Sequence, residues 1–126
     1  MEEIITLKAR SAKNKGKRLQ NILRDKLIKL YPSLKDDISS QIMGMQGEDI
    51  VLTPHAKDIL PYSFECKNVE KLNVWKSFKQ CETNSGDSTP VLVIKRNREN
   101  PKVVMDLDKW LENKMPEYIE NYLKNK

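Results

Sequence analysis

The residues in this chain best placed to do chemistry are Asp49, Glu65 and Lys67. They fall in two short stretches, 47–52 and 62–68, each built from β-branched, aromatic and aliphatic residues with turn-formers at the edges. That composition predicts a short strand in each place. Side chains alternate along a strand, so Glu65 and Lys67, two apart, share a face. A charge set in an apolar strand is costly unless it is paired or bound to a metal. Two carboxylates on neighbouring strands meet what a hard divalent cation such as Mg²⁺ requires, with Mn²⁺ as its substitute. The Cys66 main-chain carbonyl is a natural further ligand, and waters would complete the octahedron. Lys67 could orient or help deprotonate an attacking water and stabilise charge on a phosphate oxygen. With a cation as Lewis acid, these parts fit in-line hydrolysis of a phosphodiester. The same spacing also fits a cross-strand ion pair at a sheet end.

Composition bounds what can surround such a site. A chain of 126 residues, 38% hydrophobic and 33% charged, is long enough for one domain with its own core. No apolar run has the length of a membrane span, and residues 1–4 lack a secretory hydrophobic region. The two cysteines, Cys66 and Cys81, have neither disulfide-framework nor zinc spacing, so a reducing, cytoplasmic setting is expected. Net charge is +5, unevenly spread. Residues 8–18 carry Lys8, Arg10, Lys13, Lys15, Lys17 and Arg18 and no acid. Residues 36–65 carry Asp36, Asp37, Glu48, Asp49, Asp58 and Glu65 against Lys57 alone. A basic segment and an acidic centre suit a polyanion met at a cation site.

The elements that must position the triad follow from periodicity. Residues 1–15 lack apolar period and read as a flexible basic arm; residues 16–126 read as a single domain. Leu19, Ile22, Leu23, Leu27 and Leu30 mark a helix over 16–31, closed by Tyr31-Pro32. Strands are expected at 38–43, 49–52 and 62–67, with a capped helical turn at Thr53-Pro54 between the last two. A helix over 69–83 would bury Val74, Trp75, Phe78 and Cys81. The apolar run 91–94 reads as a strand buried on both faces, 102–107 as its return, and a last helix starts at Asp108 with Leu111, Met115, Tyr118, Ile119 and Tyr122 on one stripe. The order is helix, three strands, helix, two strands, helix: an antiparallel meander, then a parallel crossover, forming one mixed α/β sheet flanked by helices.

Asp49, then Glu65-Cys66-Lys67, within that element order, resembles the PD-(D/E)xK nuclease superfamily over about residues 16–110. The small archaeal and phage Holliday junction resolvases and related phage endonucleases are the members it is most similar to. The resemblance implies a restriction-endonuclease-like core, Mg²⁺ held by Asp49 and Glu65, and Lys67 assisting the water. It also implies a homodimer acting on branched DNA, since a four-way junction has two symmetric strands to cut. Two positions depart from the pattern: Glu48 stands where a proline is usual, and Gln20 stands where many of these resolvases carry a helix glutamate.

Other residues carry weaker expectations. Gln80, with Asn73 and Lys76 on earlier turns, resembles a glutamine that some branches use near the site, and equally fits a solvated helix face. Glu48 reads as a rim or structural acid, His55 as a surface residue, and Trp75 and Phe78 as core more than as base-stacking groups. Ser39 and Ser40, the 8–18 cations, Lys76, Arg96, Arg98 and Lys102 are candidate phosphate contacts. A duplex, flap or nicking nuclease of phage or mobile-element recombination or repair is the neighbouring reading. A non-catalytic nucleic-acid-binding module is the reading from another class.

Overall fold

The computed structural model describes residues 2–42, 45, 47–113, 121 and 123–125, with the side chains of 9–112 and the last four, short of 43–44 and 46. Helix α1 runs unbroken over Glu2–Leu30. The expected flexible arm is therefore helical and continuous with the helix that was expected to begin at Gly16. Leu7, Lys8, Ala9, Arg10, Ala12 and Lys13 are good helix formers with no proline among them. Once a packed helix exists, adding turns to its end carries no second nucleation cost. The chain leaves α1 at Tyr31, whose N–H makes a last helical bond to Leu27 O at 2.9 Å. A 3₁₀ turn over Pro32–Asp37 then sets Leu34 into the core.

Strand β1 (Ile38–Ser40) pairs antiparallel with β2 (Ile50–Leu52), Ile38 opposite Leu52. Helix α2 (Pro54–Ile59) starts as expected: the Thr53 hydroxyl accepts from Ala56 N–H and donates to Asp37 Oδ1 at 2.6 Å. Strand β3 (Tyr62–Asn68) leads to α3 (Val74–Asn84), capped by Asn73. Strand β4 (Thr89–Lys95) lies parallel to β3, with Glu65 level with Leu92 and Lys67 with Ile94. Strand β5 (Lys102–Val104) returns antiparallel, and α4 (Leu107–Asn113) follows. Met43 and Met115, Tyr118, Ile119 and Tyr122 of the expected elements lie outside the described residues. None of the described helices is long and apolar enough to cross a membrane.

The architecture is mixed α/β, but not one continuous sheet. β1 and β2 form a pair of their own, and β3, β4 and β5 form a second sheet. The expected meander breaks between β2 and β3, where, among the described residues, the backbone bond from Asp49 N–H to Phe64 O at 3.0 Å spans the gap.

One face of β3 and β4, through Phe64, Cys66, Val91 and Val93, joins Leu19 and Leu27 of α1 and Ile50 of β2 in the main core. Each such buried side chain stabilises the fold by about 1.5–3 kcal/mol. The opposite face, with Ser63, Glu65 and Leu92, meets α3, where the Cys81 thiol donates to Ser63 O at 3.8 Å. Here the expected stripe is corrected. The buried residues of α3 are Ser77, Phe78 and Cys81, while Trp75 is 87% exposed. The helix starts at Val74 rather than Val69, and its buried arc centres near Cys81, with Ser77 and Phe78 to either side. At 100° per residue Trp75 lies about 120° round the helix from Cys81 and faces water.

A part-buried polar knot links Glu48, just ahead of β2, to β3 and the start of β4. Lys57 Nζ of α2 reaches Glu48 Oε2 at 2.6 Å, Tyr62 O at 3.0 Å and Ser88 Oγ at 3.1 Å. Both ionic side chains are only about a quarter exposed (24% and 25%). Lys57→Met would leave the Glu48 carboxylate without its cation, so a loss of about 1–3 kcal/mol in urea-unfolding stability is expected. An unchanged midpoint would show the knot to be idle.

Candidate active site at the seam between two sheets

Asp49 sits at the point where the sheets part. Gly47, at φ 108°, turns the chain in a conformation that side-chain-bearing residues rarely adopt. Asp49 then holds both sides. Its carbonyl accepts from Gln41 N–H at 2.8 Å, extending the β1–β2 register by one pair, and its own N–H reaches Phe64. Beyond that bond the strands diverge, and the Asp49 side chain fills the gap: Oδ2 accepts from Cys66 N–H at 2.6 Å. A carboxylate thus takes the place of a ladder rung.

This geometry bears directly on Cys66. The N–H and C=O of a strand residue point to the same edge. The Cys66 carbonyl therefore faces the Asp49 side of β3, where a main-chain ligand was expected. Its thiol lies on the core face, where burial pushes it well above the ordinary thiol range. Cys81 is likewise pushed up to about 11, by burial and then by the Glu65 charge.

Glu65 projects from the other face of β3 and is 5% exposed. Lys67 Nζ lies 3.6 Å from its Oε1, while Oε2 has no hydrogen-bond partner. Burial raises the Glu65 carboxyl above its ordinary value and the Asp49 charge raises it further; Lys67 and the Asn84 amide offset part of this. Asp49 is also raised by burial, against the pull of Cys66 N–H and Lys67. Two carboxylates that repel each other, one with a buried free oxygen, are a strained arrangement that a divalent cation between them would relieve. Among the described residues no group of three or more His, Cys, Asp and Glu forms, so a cation here would rest on two carboxylates, the Cys66 carbonyl and water. That donor set is hard oxygen throughout, as Mg²⁺ or Mn²⁺ prefers.

Gln20 is buried on α1. On α1 it lies between Leu19, buried with Phe64 and Cys66, and Asn21, which accepts from the Ser40 hydroxyl at 2.9 Å. Gln20 is 5% exposed, and its Oε1 has no partner. An amide oxygen in this place can accept from a water or lie toward a cation but supplies no charge.

The remaining expectations divide. Gln80 is exposed and lines a groove with Lys67 and Lys76. Asn84, one turn beyond Gln80, is the residue that sequence reasoning missed; its i+4 spacing from Gln80 was the available signal. Glu48 is bound to Lys57 and does not join the carboxylates. The Ser40 hydroxyl donates to Asn21 Oδ1, and Ser39 is exposed. Lys17 is likewise drawn inward, to Gln41 O at 3.2 Å, and Lys15 gives its carbonyl to Asn68 Nδ2 at 2.9 Å. Arg10, Lys13, Arg18 and Lys76 are exposed, as are Arg98, Lys102 and Arg96, the last beside Glu99 at 3.8 Å. His55 is exposed, as expected. The Lys8 side chain lies outside the described residues.

Comparison with protein-family models, with curated proteins and with solved structures finds no match for this chain.

The raised carboxyls set a pH dependence. Their native pKa values exceed the ordinary 3.8 of Asp49 and 4.5 of Glu65, so the folded state holds these protons more tightly than the unfolded chain. Their contribution to stability is fully present below the ordinary values and is lost as pH rises through the raised ones. Metal-free protein is therefore expected to lose part of its stability as pH climbs through that window, and Mg²⁺ at neutral pH to restore it. Thermal melts across pH, with and without Mg²⁺, check this; a Glu65→Gln variant should flatten the slope.

Proposed function

We propose that this chain is a Mg²⁺-dependent DNA endonuclease of the PD-(D/E)xK type that cuts branched DNA as a homodimer. The observation that carries the reading is the seam itself: Asp49 and Glu65 raised by burial, a buried Glu65 oxygen without a partner, and Lys67 beside it. A bound divalent cation supplies Lewis-acid polarisation of the scissile phosphate and lowers the pKa of a water. Asp49 and Glu65 supply the charge that holds it, and the Asp49–Cys66 bond fixes the separation of the strands that carry them. Lys67 orients the attacking water and meets the charge that grows on the phosphate. Gln20 holds a water through its unpartnered amide oxygen.

Exposed Arg10, Lys13, Arg18 and Lys76 give a basic surface suited to phosphate contacts, which add affinity without reading sequence. For a second copy, the exposed apolar Val103, Leu107, Trp110 and Leu111 at the β5 edge are the face to cover. The test is cleavage in Mg²⁺ of a four-way junction against a linear duplex of matching sequence at fixed salt. Symmetric paired nicks on the junction are expected. Equal cutting of both substrates would replace the resolvase reading with a general nuclease, and no cutting in Mg²⁺ or Mn²⁺ would leave only a binding module.

A further inference from the structure

Tryptophan is highly buried on average, yet the Trp75 indole stands 87% exposed in the first turn of α3. It does not stand alone. A groove of about 1000 Å³ runs beside it, lined by Lys67, Leu72, Trp75, Lys76, Lys79 and Gln80 among others. Three lysines and no acid line this groove. Lys67 is at once its wall and the cation beside Glu65, so the groove opens onto the seam. An exposed aromatic face amid ammonium groups matches a ligand that alternates flat π-surfaces with anions. That pattern describes a nucleic-acid strand whose bases are free of partners.

We propose that this groove takes an unpaired segment of DNA, with one base stacked on Trp75 and the neighbouring phosphates along Lys76 and Lys79, leading the strand to Lys67. Within a duplex, each base face is covered by its neighbours and offers nothing to an indole. A strand that leaves the helix unpaired, at a flap or where the central pairs of a junction have opened, has such a face. The groove thus deepens the proposed function, on which its placement beside the scissile phosphate rests: it names unpaired DNA next to the cut as what distinguishes substrate from plain duplex. Stacking of a base on an aromatic residue tolerates any sequence.

The experiment reads binding alone. In an Asp49→Asn, Trp110→Phe background Trp75 is the sole tryptophan, because the chain has two. That protein is titrated in EDTA with oligothymidylate of about 12 nucleotides, close to the footprint of small single-strand binders, and with a blunt duplex of equal length. Oligothymidylate is expected to quench the Trp75 emission. Trp75→Ala, made on an exposed side chain, is expected to weaken single-strand binding about 5- to 100-fold and duplex binding less than about 2-fold, with Trp75→Phe retaining most of the affinity. Unchanged emission, or equal affinity of the Ala variant for the single strand, overturns the proposal. Trp75-dependent binding by a wild-type chain that cuts no DNA would uphold the groove and sink the nuclease; cutting without Trp75 dependence would do the reverse.

Discussion

Under the proposed function, Glu65→Gln is expected to lower single-turnover DNA cleavage about a thousandfold or more while making the metal-free protein more stable. The first effect follows if Glu65 holds the cation: losing several kcal/mol of transition-state charge stabilisation corresponds to a factor of that size. The second follows from the ground state. The Glu65 carboxylate is 5% exposed, has one oxygen without a partner and feels the Asp49 charge. A neutral amide removes that repulsion, and a gain of about 1 kcal/mol or more at neutral pH is expected. Urea unfolding in EDTA measures the gain, and rapid-quench assays measure the loss. The two opposite signs in one variant distinguish a functional carboxylate from a structural one. A purely structural ion pair with Lys67 along β3 predicts the reverse for stability, since Gln would forfeit the pair.

Asp49 has two duties, and two substitutions separate them. Asp49→Asn keeps an oxygen that can accept from Cys66 N–H, now at 2.6 Å from Oδ2, so the seam should hold. It removes the charge, and cleavage is expected to fall about a thousandfold, as for Glu65→Gln. Asp49→Ala removes the acceptor as well. The Cys66 N–H then lacks a partner where the sheets diverge, and stability is expected to drop by about 1–3 kcal/mol below the Asn variant. Amide exchange at Cys66 should accelerate in the Ala variant only. Equal stability of the two variants would mean that Phe64 O and the core hold the seam without the carboxylate.

That Glu65 and Lys67 share a face was legible because strand alternation is insensitive to context: two apart is the same face, whatever surrounds it. Thr53-Pro54 and Tyr31-Pro32 were legible for a similar reason, since their backbone effects are local. The seam was not. Three successive strands imply neighbours, but whether β2 and β3 share a ladder depends on how Asp49 spends its side chain, a tertiary matter. Trp75 was misread because apolar spacing alone cannot fix which arc of a helix is buried when a small polar residue, Ser77, occupies part of it. The helical extension of α1 into the basic segment was not legible from apolar period, which residues 1–15 lack, although Leu, Ala, Lys and Arg are helix formers. Asn84 escaped notice because its partner, Glu65, is nineteen positions back and meets it only after the α3 crossover.

The most direct measurement is single-turnover cleavage of a four-way junction as a function of Mg²⁺ concentration, for wild type and Glu65→Gln side by side. Wild type is expected to show a rate that rises with Mg²⁺ and saturates, with none in EDTA, and the variant to stay near background at every concentration. Cleavage by both proteins at equal rates, or cleavage by wild type that persists in EDTA, would contradict a cation site built on Asp49 and Glu65.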